Sequence, residues 1–280
     1  MSKVIEYKQK VQSIEKIHDL VKAMQIIAVT QLKKVQEKQK TAENFCQQYE
    51  NIVRQLGLQC LKSQMVKQPV CLVYVFVSQR GFCGGFNEQL CVKINEYIKA
   101  HTAETVHLIV VGARGAEVIK QHFPKQVKNT IIFEWAVDFF KIAQEAQKAR
   151  QLFVDDQVVE VALIYNRFKS MLVQIPTIKL VLPFDLSAQS VDSNILIEPS
   201  LDQIRPFAVE QYLKALFYNA FMQSQLGETG ARLMTMRQAT DSSKEMIDSL
   251  NIQLNKARQA LITSELSEIV SSFEAISGEE

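Results

Sequence analysis

The chain has 280 residues, 47% of them hydrophobic and 22% charged, with 32 Lys and Arg against 30 Asp and Glu. Those proportions belong to folded globular proteins and exclude a disordered polyelectrolyte. A formal net charge of +2 gives no reason to expect a nucleic-acid partner, which needs a clustered basic face, and the length suits one compact core plus an extended element.

The five cysteines, Cys46, Cys60, Cys71, Cys83 and Cys91, form no CxxC pair and no Cys/His group with metal-ligand spacing. Reduced thiols in a cytosolic setting are expected, with no metal and no cofactor. The opening MSKVIEYKQK lacks the apolar core of an export signal, and no apolar run reaches the roughly 18 residues of a membrane span. The expectation is a chain neither exported nor inserted.

From Lys3 to about Leu61 there is no proline, the one glycine is Gly57, and Lys, Gln, Glu and Ala dominate, a helix-favouring composition. Val4, Tyr7, Val11, Ile14, Ile17, Val21, Met24 and Ala28 step by three and four, a narrow apolar stripe along one helix. At 1.5 Å per residue such a helix runs to roughly 80 Å, too long to bury its stripe in a globule, so it needs an equally long partner. Its Lys8, Lys22, Lys33, Lys34, Lys38 and Lys40 read as solvated surface.

Between about 69 and 200 the pattern changes to short apolar runs alternating with helical segments. Strands are predicted at Val70 to Val77, Val106 to Val111, Ile131 to Trp135, Val158 to Tyr165 and Pro176 to Leu182. Helices are predicted at Asn87 to Ala100, Ala113 to His122 and Asp138 to Gln151. This order makes a mainly parallel sheet with crossover helices, a Rossmann-like open sheet. The fold expected is α/β, with that domain (69–200) inserted between an N-terminal helix (1–61) and a C-terminal helix (206–280) that form an antiparallel coiled coil.

The second long helix is predicted to start at Pro206. Ile247, Leu250, Leu254, Ala257 and Leu261 alternate by three and four, and Leu266, Ile269, Phe273 and Ile276 continue with a shift that would over- or underwind the coil. Gly227 and Gly230 each cost about 1 kcal/mol against alanine; they mark either a close approach to the first helix or a local kink.

One loop invites a chemical reading. Ser78 to Asn87 (SQRGFCGGFN) follows the first strand of the domain and precedes a helix, a place where glycine-rich turns hold phosphate. It has neither the lysine and hydroxyl of a Walker A loop nor GxGxxG spacing, so glycines serving a tight turn are the plainer reading. Cys83 at a helix N-terminus could be an activated thiol, yet His18, His101, His107 and His122 stand in no catalytic signature. Arg80 and Cys83 could equally belong to a contact surface. Gly112-Ala113-Arg114-Gly115 reads as a strand-to-helix turn.

The C-terminal sequence carries a resemblance. Ala231 to Asp241 (ARLMTMRQATD) followed by Leu254 to Val270 (LNKARQALITSELSEIV) closely resembles the terminal helix of the ATP synthase gamma family. Ile17 to Ala28, centred on Lys22-Ala23-Met24, is similar to its first helix, and RGFCGGFN to its RGxCGGxN element. Three matches in the right order span both ends and the middle.

The resemblance implies a rotor without catalytic residues of its own. Its paired helices would turn inside a hexamer of alpha and beta subunits, with the domain below, engaging the epsilon subunit and the membrane c-ring. It implies no nucleic acid, no direct membrane insertion, no homo-oligomer, and a peripheral place on the cytoplasmic face of a bacterial inner membrane. Carried over by position, Arg258 and Gln259 engage a beta-subunit loop, with Thr263 close by. Met24 stands at the beta-subunit boundary or in the coiled-coil core, Arg80 and Cys83 lie near the beta-subunit lever, and Glu198 with Pro199 forms the foot facing epsilon and ring. The family pattern has an acidic residue where Gln79 stands. The alternative is a Rossmann-type nucleotide enzyme using the Gly81 to Gly85 loop and dimerising through its terminal helices.

Overall fold

The computed structural model describes residues 2–60, 69–101, 104–133, 139–185, 198 and 200–277. In chain order the elements are α1 (Ser2–Gln55), β1 (Gln59–Cys60), β2 (Val70–Phe76), α2 (Phe86–Ala100), β3 (Thr105–Val111), α3 (Ala113–His122), β4 (Val127–Ile131), α4 (Phe139–Val154), β5 (Glu160–Phe168), β6 (Gln174–Leu182), β7 (Phe184–Asp185) and α5 (Leu201–Ser277). They make two compact units, residues 1–27 with 235–280 and residues 28–234.

The first unit is a two-helix seam. His18 Nδ1 lies 2.9 Å from the Ser243 hydroxyl, and the Thr240 hydroxyl donates to Gln25 Oε1 at 3.2 Å. Rising numbers on α1 meet falling numbers on α5, so the helices are antiparallel. The less exposed positions on α1 are Val4, Tyr7, Val11, Ile14, His18, Val21, Gln25 and Ala28, apart from Met24 beside them; on α5 they include Met236, Thr240, Ser243, Ile247, Leu250, Leu254, Ala257 and Leu261. Both sets step strictly by three and four, the heptad spacing of a coiled coil. The structure corrects the sequence reading at one position. Ile17, expected in the stripe, is 49% exposed, and the polar His18 takes the inward place because the alternation runs 14, 18, 21, 25. Met24 is half-buried beside Gln25.

A second correction concerns the shifted stripe after Leu261. Every side chain described from Ile262 to Ser272 is exposed. Leu266 and Ile269 therefore do not continue the coil, and Phe273 and Ile276 lie beyond the side chains described.

In the second unit the sheet order is β4-β3-β2-β5-β6, with β2 parallel to β3 and β5, β3 parallel to β4, and β6 antiparallel to β5. Side chains alternate along β2. Leu72, Tyr74 and Phe76 face one core with α1, α4 and α5, while Cys71, Val73 and Val75 face the other with α2 and α3, as a strand buried on both faces requires. On α1 the same heptad continues through Ala28, Val35, Ala42, Cys46 and Val53, all buried. Tyr74 and Phe76 meet Phe217 and Phe221 of α5 edge-on, at ring separations of 5.0 and 6.0 Å, a favoured aromatic geometry.

Several predicted boundaries move. Helix α1 ends at Gln55 rather than near Leu61. Strand β4 is Val127–Ile131, not Ile131 to Trp135, whose last two residues lie outside those described. Its VKNTI sequence is polar because an edge strand needs only one buried face. Helix α5 begins at Leu201, with Pro206 inside it. Proline there removes the bond to the Asp202 carbonyl, at an end where the Asp202 side chain is 92% exposed.

The glycines of α5 face the sheet domain instead of α1. A Cβ at Gly227 would stand 3.2 Å from Phe86 and 3.3 Å from Gln174; one at Gly230 would stand 3.1 Å from Phe168. At Gly115 the fit is tighter still, with Val77 Cβ at 2.4 Å and Asn87 Oδ1 at 2.5 Å. Gly115→Ala is therefore expected to destabilise the chain by about 1–3 kcal/mol through overpacking, against the roughly 1 kcal/mol that alanine gains in helix propensity. Gly230→Ala, whose neighbour is the edge of one ring, should fall within about 1 kcal/mol of the parent. Urea denaturation of the two variants checks the order.

Candidate functional site

Strand β2 is the switch point of the doubly wound sheet, since the chain turns to β3 on one side and β5 joins on the other. In such sheets ligands bind in the crevice beyond the strands' carboxyl ends, and the loop 78–85 lies there. Three polar contacts shape it. The Ser78 amide donates to Asn87 Oδ1 at 3.0 Å, the Asn87 side chain donates back to the Ser78 hydroxyl at 2.9 Å, and the Gly115 amide donates to the Ser78 carbonyl at 2.9 Å. Left-handed backbone at Phe82 (φ 61°) and Gly84 (φ 56°) turns the chain sharply. It leaves the Phe82 ring 66% exposed.

The crevice is filled by the chain itself. The Glu228 carboxylate, on α5, accepts the Gln79 amide at 3.0 Å and the Arg80 amide at 3.1 Å. It also pairs with the Arg232 guanidinium one turn on, and Arg232 Nε donates to the Gly81 carbonyl at 3.1 Å. Glu228 is 1% and Arg232 5% exposed. Successive backbone amides with a buried carboxylate across them are the arrangement a phosphate would adopt; here the anion is intramolecular. A nucleotide phosphate would have to displace Glu228 and meet its charge. Nearby, the Ser224 hydroxyl donates to the Phe76 carbonyl at 2.8 Å, and Gln223 Oε1 accepts the Phe168 amide at 3.1 Å. Helix α5 is thus bonded to the ends of β2 and β5.

Arg80 is exposed on this loop, while Cys83 lies beneath it, 5% exposed. Burial pushes the Cys83 thiol up from its ordinary range, the opposite of the activation a helix N-terminus could supply, so the nucleophile reading fails. Gln79 donates its backbone amide to Glu228, and both polar atoms of its side chain are buried without a hydrogen-bond partner among the described residues. The Gly112 turn is a packing device: its φ is 141°, and a Cβ there would stand 2.6 Å from the Val77 carbonyl oxygen.

The other sequence-identified residues belong to the first unit or stand apart. Arg258, Gln259 and Thr263 are exposed on consecutive turns of α5, and the Thr263 hydroxyl donates to the Gln259 carbonyl at 3.0 Å. Glu198 is exposed, and Pro199 lies outside the described residues. Sequence reasoning did not single out Glu228, His18 or Gln25. A signal for Glu228 existed: it and Arg232 are an acid and a base four residues apart in a stretch of α5, 215–236, that carries no other charged residue, the spacing of a pair that neutralises itself on burial.

A doubly wound domain whose ligand crevice is plugged by its own helix, in a chain that also pairs its two long terminal helices, has the build of a structural subunit and not of a nucleotide enzyme. Comparison with known proteins agrees. The family model described as ATP synthase matches residues 3–276. The ATP synthase gamma chain of Desulfitobacterium hafniense is 28% identical over 99% of this chain and 100% of its own length. That of Brevibacillus brevis is 30% identical over 96% of this chain and 97% of its own. The fold is similar to a chain of the Euglena gracilis mitochondrial ATP synthase (OSCP/F1/c-ring), with TM-score 0.74, 19% identity and coverage of 100% and 96%. It is also similar to a chain of the Tetrahymena thermophila central stalk and c-ring, with TM-score 0.61, 23% identity and coverage of 79% and 99%. The chain belongs to the ATP synthase gamma-chain family, and as such is a non-catalytic subunit of that complex. No helix among the described residues is long and apolar enough to cross a membrane.

Breaking the buried pair from one side leaves a charge without its partner, at a cost of about 3–5 kcal/mol. Glu228→Leu or Arg232→Met alone should lower the urea midpoint accordingly. The double variant Glu228→Leu/Arg232→Met should recover only part of it, since the Gln79 and Arg80 amides and the Gly81 carbonyl still lose these contacts, which equilibrium unfolding of the three proteins measures.

Proposed function

We propose that the chain is the rotating central stalk that couples ion flow through a membrane c-ring to successive conformations of the beta-subunit catalytic sites. The observation that carries this is the first unit's surface. Ile262, Leu266, Ile269 and Val270 are 46–64% exposed along a helix end that no other described residue covers, and Ile17, Leu20, Ile26 and Ile27 are 49–63% exposed on α1. Apolar surface on this scale marks a surface that another protein covers, and a sleeve of alpha and beta subunits around the helices is the cover that family membership suggests.

The site residues take their places in this reading. Arg258 and Gln259 offer a planar guanidinium and an amide to a beta-subunit loop, suited to a forked contact with a carboxylate, and Thr263 lies one turn on. Met24 borders the polar seam. Arg80, with Phe82 beside it, faces outward at the loop near the beta-subunit lever, and Cys83 supports that loop from below. Glu198 marks the foot toward the epsilon subunit and the ring. The working parts are the coiled-coil helices, expected from sequence at 1–61 and 206–280 and observed at Ser2–Gln55 and Leu201–Ser277, and the domain at 69–200. The stalk acts from the cytoplasmic face of a bacterial inner membrane, held there by assembly. A contact shifts a population only by its differential free energy between states, so a stiff shaft with unequal faces can favour one beta-subunit conformation at a time.

The chain co-expressed with alpha and beta subunits should yield one stable complex that hydrolyses ATP, while alone it hydrolyses none. In the reconstituted holoenzyme, Arg258→Ala with Gln259→Ala removes a charge-assisted contact of about 1.5–3 kcal/mol. ATP-driven ion pumping should then fall by about tenfold or more. An isolated chain that turns over ATP would refute the proposal, as would pumping unaffected by the double change.

A further inference from the structure

At the opposite end of the sheet from the plugged crevice, three elements bring together side chains that lie far apart in sequence. Cys71 and Glu160 stand side by side near the starts of β2 and β5, paired in parallel register, and His101 caps the C-terminus of α2. The thiol sulfur, an imidazole nitrogen and a carboxylate oxygen all lie within 4.8 Å of one another. Cys71 is fully buried, and the His101 and Glu160 side chains are about one-fifth exposed, so the group is sheltered yet reachable from solvent.

The hydrogen bonds orient it. The carbonyl of Tyr97 lies 2.9 Å from His101 Nδ1, so Nδ1 carries a proton and donates. In the neutral ring, Nε2 then presents a lone pair toward Glu160 Oε1, 3.4 Å away. Two unprotonated acceptors would then face each other, an arrangement that a proton or a cation between them relieves. The Tyr97 hydroxyl donates to the same Glu160 oxygen, and its ring stacks on the imidazole at 4.1 Å. The Cys71 thiol donates to Glu104 Oε2 at 2.5 Å, which places a second carboxylate at the sulfur. A histidine whose far nitrogen is fixed by a backbone carbonyl, and a carboxylate held by a tyrosine hydroxyl, are the supports that metal ligands have.

We propose that Cys71, His101 and Glu160 bind one thiophilic divalent cation, with Glu104 or water as the fourth ligand, and that zinc is the ion this donor set fits. Thiolate, imidazole and carboxylate are the donors zinc accepts in tetrahedral sites. Bond lengths of about 2.0–2.3 Å place ligand atoms roughly 3.5 Å apart, a contraction that side-chain rotation supplies. On binding, the S–H bond of Cys71 breaks, a sulfur–metal bond forms, and the proton leaves through Glu104 to solvent; no electron is transferred. Binding exchanges the thiol proton for the metal ion, so it releases a proton and tightens as pH rises. The bound ion would tie the end of α2 to the starts of two central strands.

The test uses the purified full chain, stripped with a chelator and titrated with cobalt(II) chloride. One equivalent should give a thiolate-to-cobalt charge-transfer absorption, and zinc chloride should displace it. Cys71→Ser should abolish the band, and His101→Gln and Glu160→Gln should each weaken zinc binding by at least about tenfold, while Cys46→Ser leaves both unchanged. Far-UV circular dichroism of the metal-free variants checks folding. If Cys71→Ser does not fold, His101→Gln, on the partly exposed helix end, decides. Absence of the band overturns the proposal; so does a band that persists in Cys71→Ser.

Discussion

Neither long helix can exist alone. A helix with one narrow apolar stripe and no globule to receive it gains too little from propensity to remain folded in water, so the two ends of the chain stabilise each other. The seam between Val4 and Leu261 meets this constraint, and its polar members set the register. His18 against Ser243 and Gln25 against Thr240 each find a partner in one alignment, and a slip by one turn would take these cross-helix partners from His18 and Gln25, while the two hydroxyls keep bonds to their own helix. Apolar residues supply adhesion along the seam; the polar pairs supply its address.

The same logic operates in the other unit. Helix α5 reaches the ends of β2 and β5 with Ser224, Gln223, Glu228 and Arg232, each bonded to backbone, and with two glycines where the domain's side chains press closest. A crevice that in a nucleotide enzyme would receive phosphate receives a carboxylate of the protein. This converts a ligand site into a mechanical joint, and a buried ion pair suits that role because it specifies one alignment even where it adds little net stability.

Much of this was legible in the sequence. The strands of the sheet centre, β2, β3 and β5, are continuous apolar runs because both faces are buried, and they were placed within a few residues. The edge strand β4 was misplaced because VKNTI has only one face to bury and a stronger apolar run follows it. The seam's direction and its 3-4 alternation were legible, but not the inward turn of His18 in place of Ile17, since residue character favoured isoleucine and only the helix phase decides. Cys71, His101 and Glu160 were invisible as a group, because parallel strand pairing and a crossover helix bring them together from positions up to 89 apart, a juxtaposition that no spacing rule encodes.

The pairing of the chain's two ends is tested most directly by a cross-link at the seam. His18→Cys combined with Ser243→Cys, mildly oxidised in the full chain, should form an intrachain disulfide identifiable by mass spectrometry of the joined peptides. Ile17→Cys with Ser243→Cys, one position outward on α1, should not. Equal cross-linking of both pairs, or bonds that join two copies of the chain, would contradict an in-register antiparallel seam within one molecule.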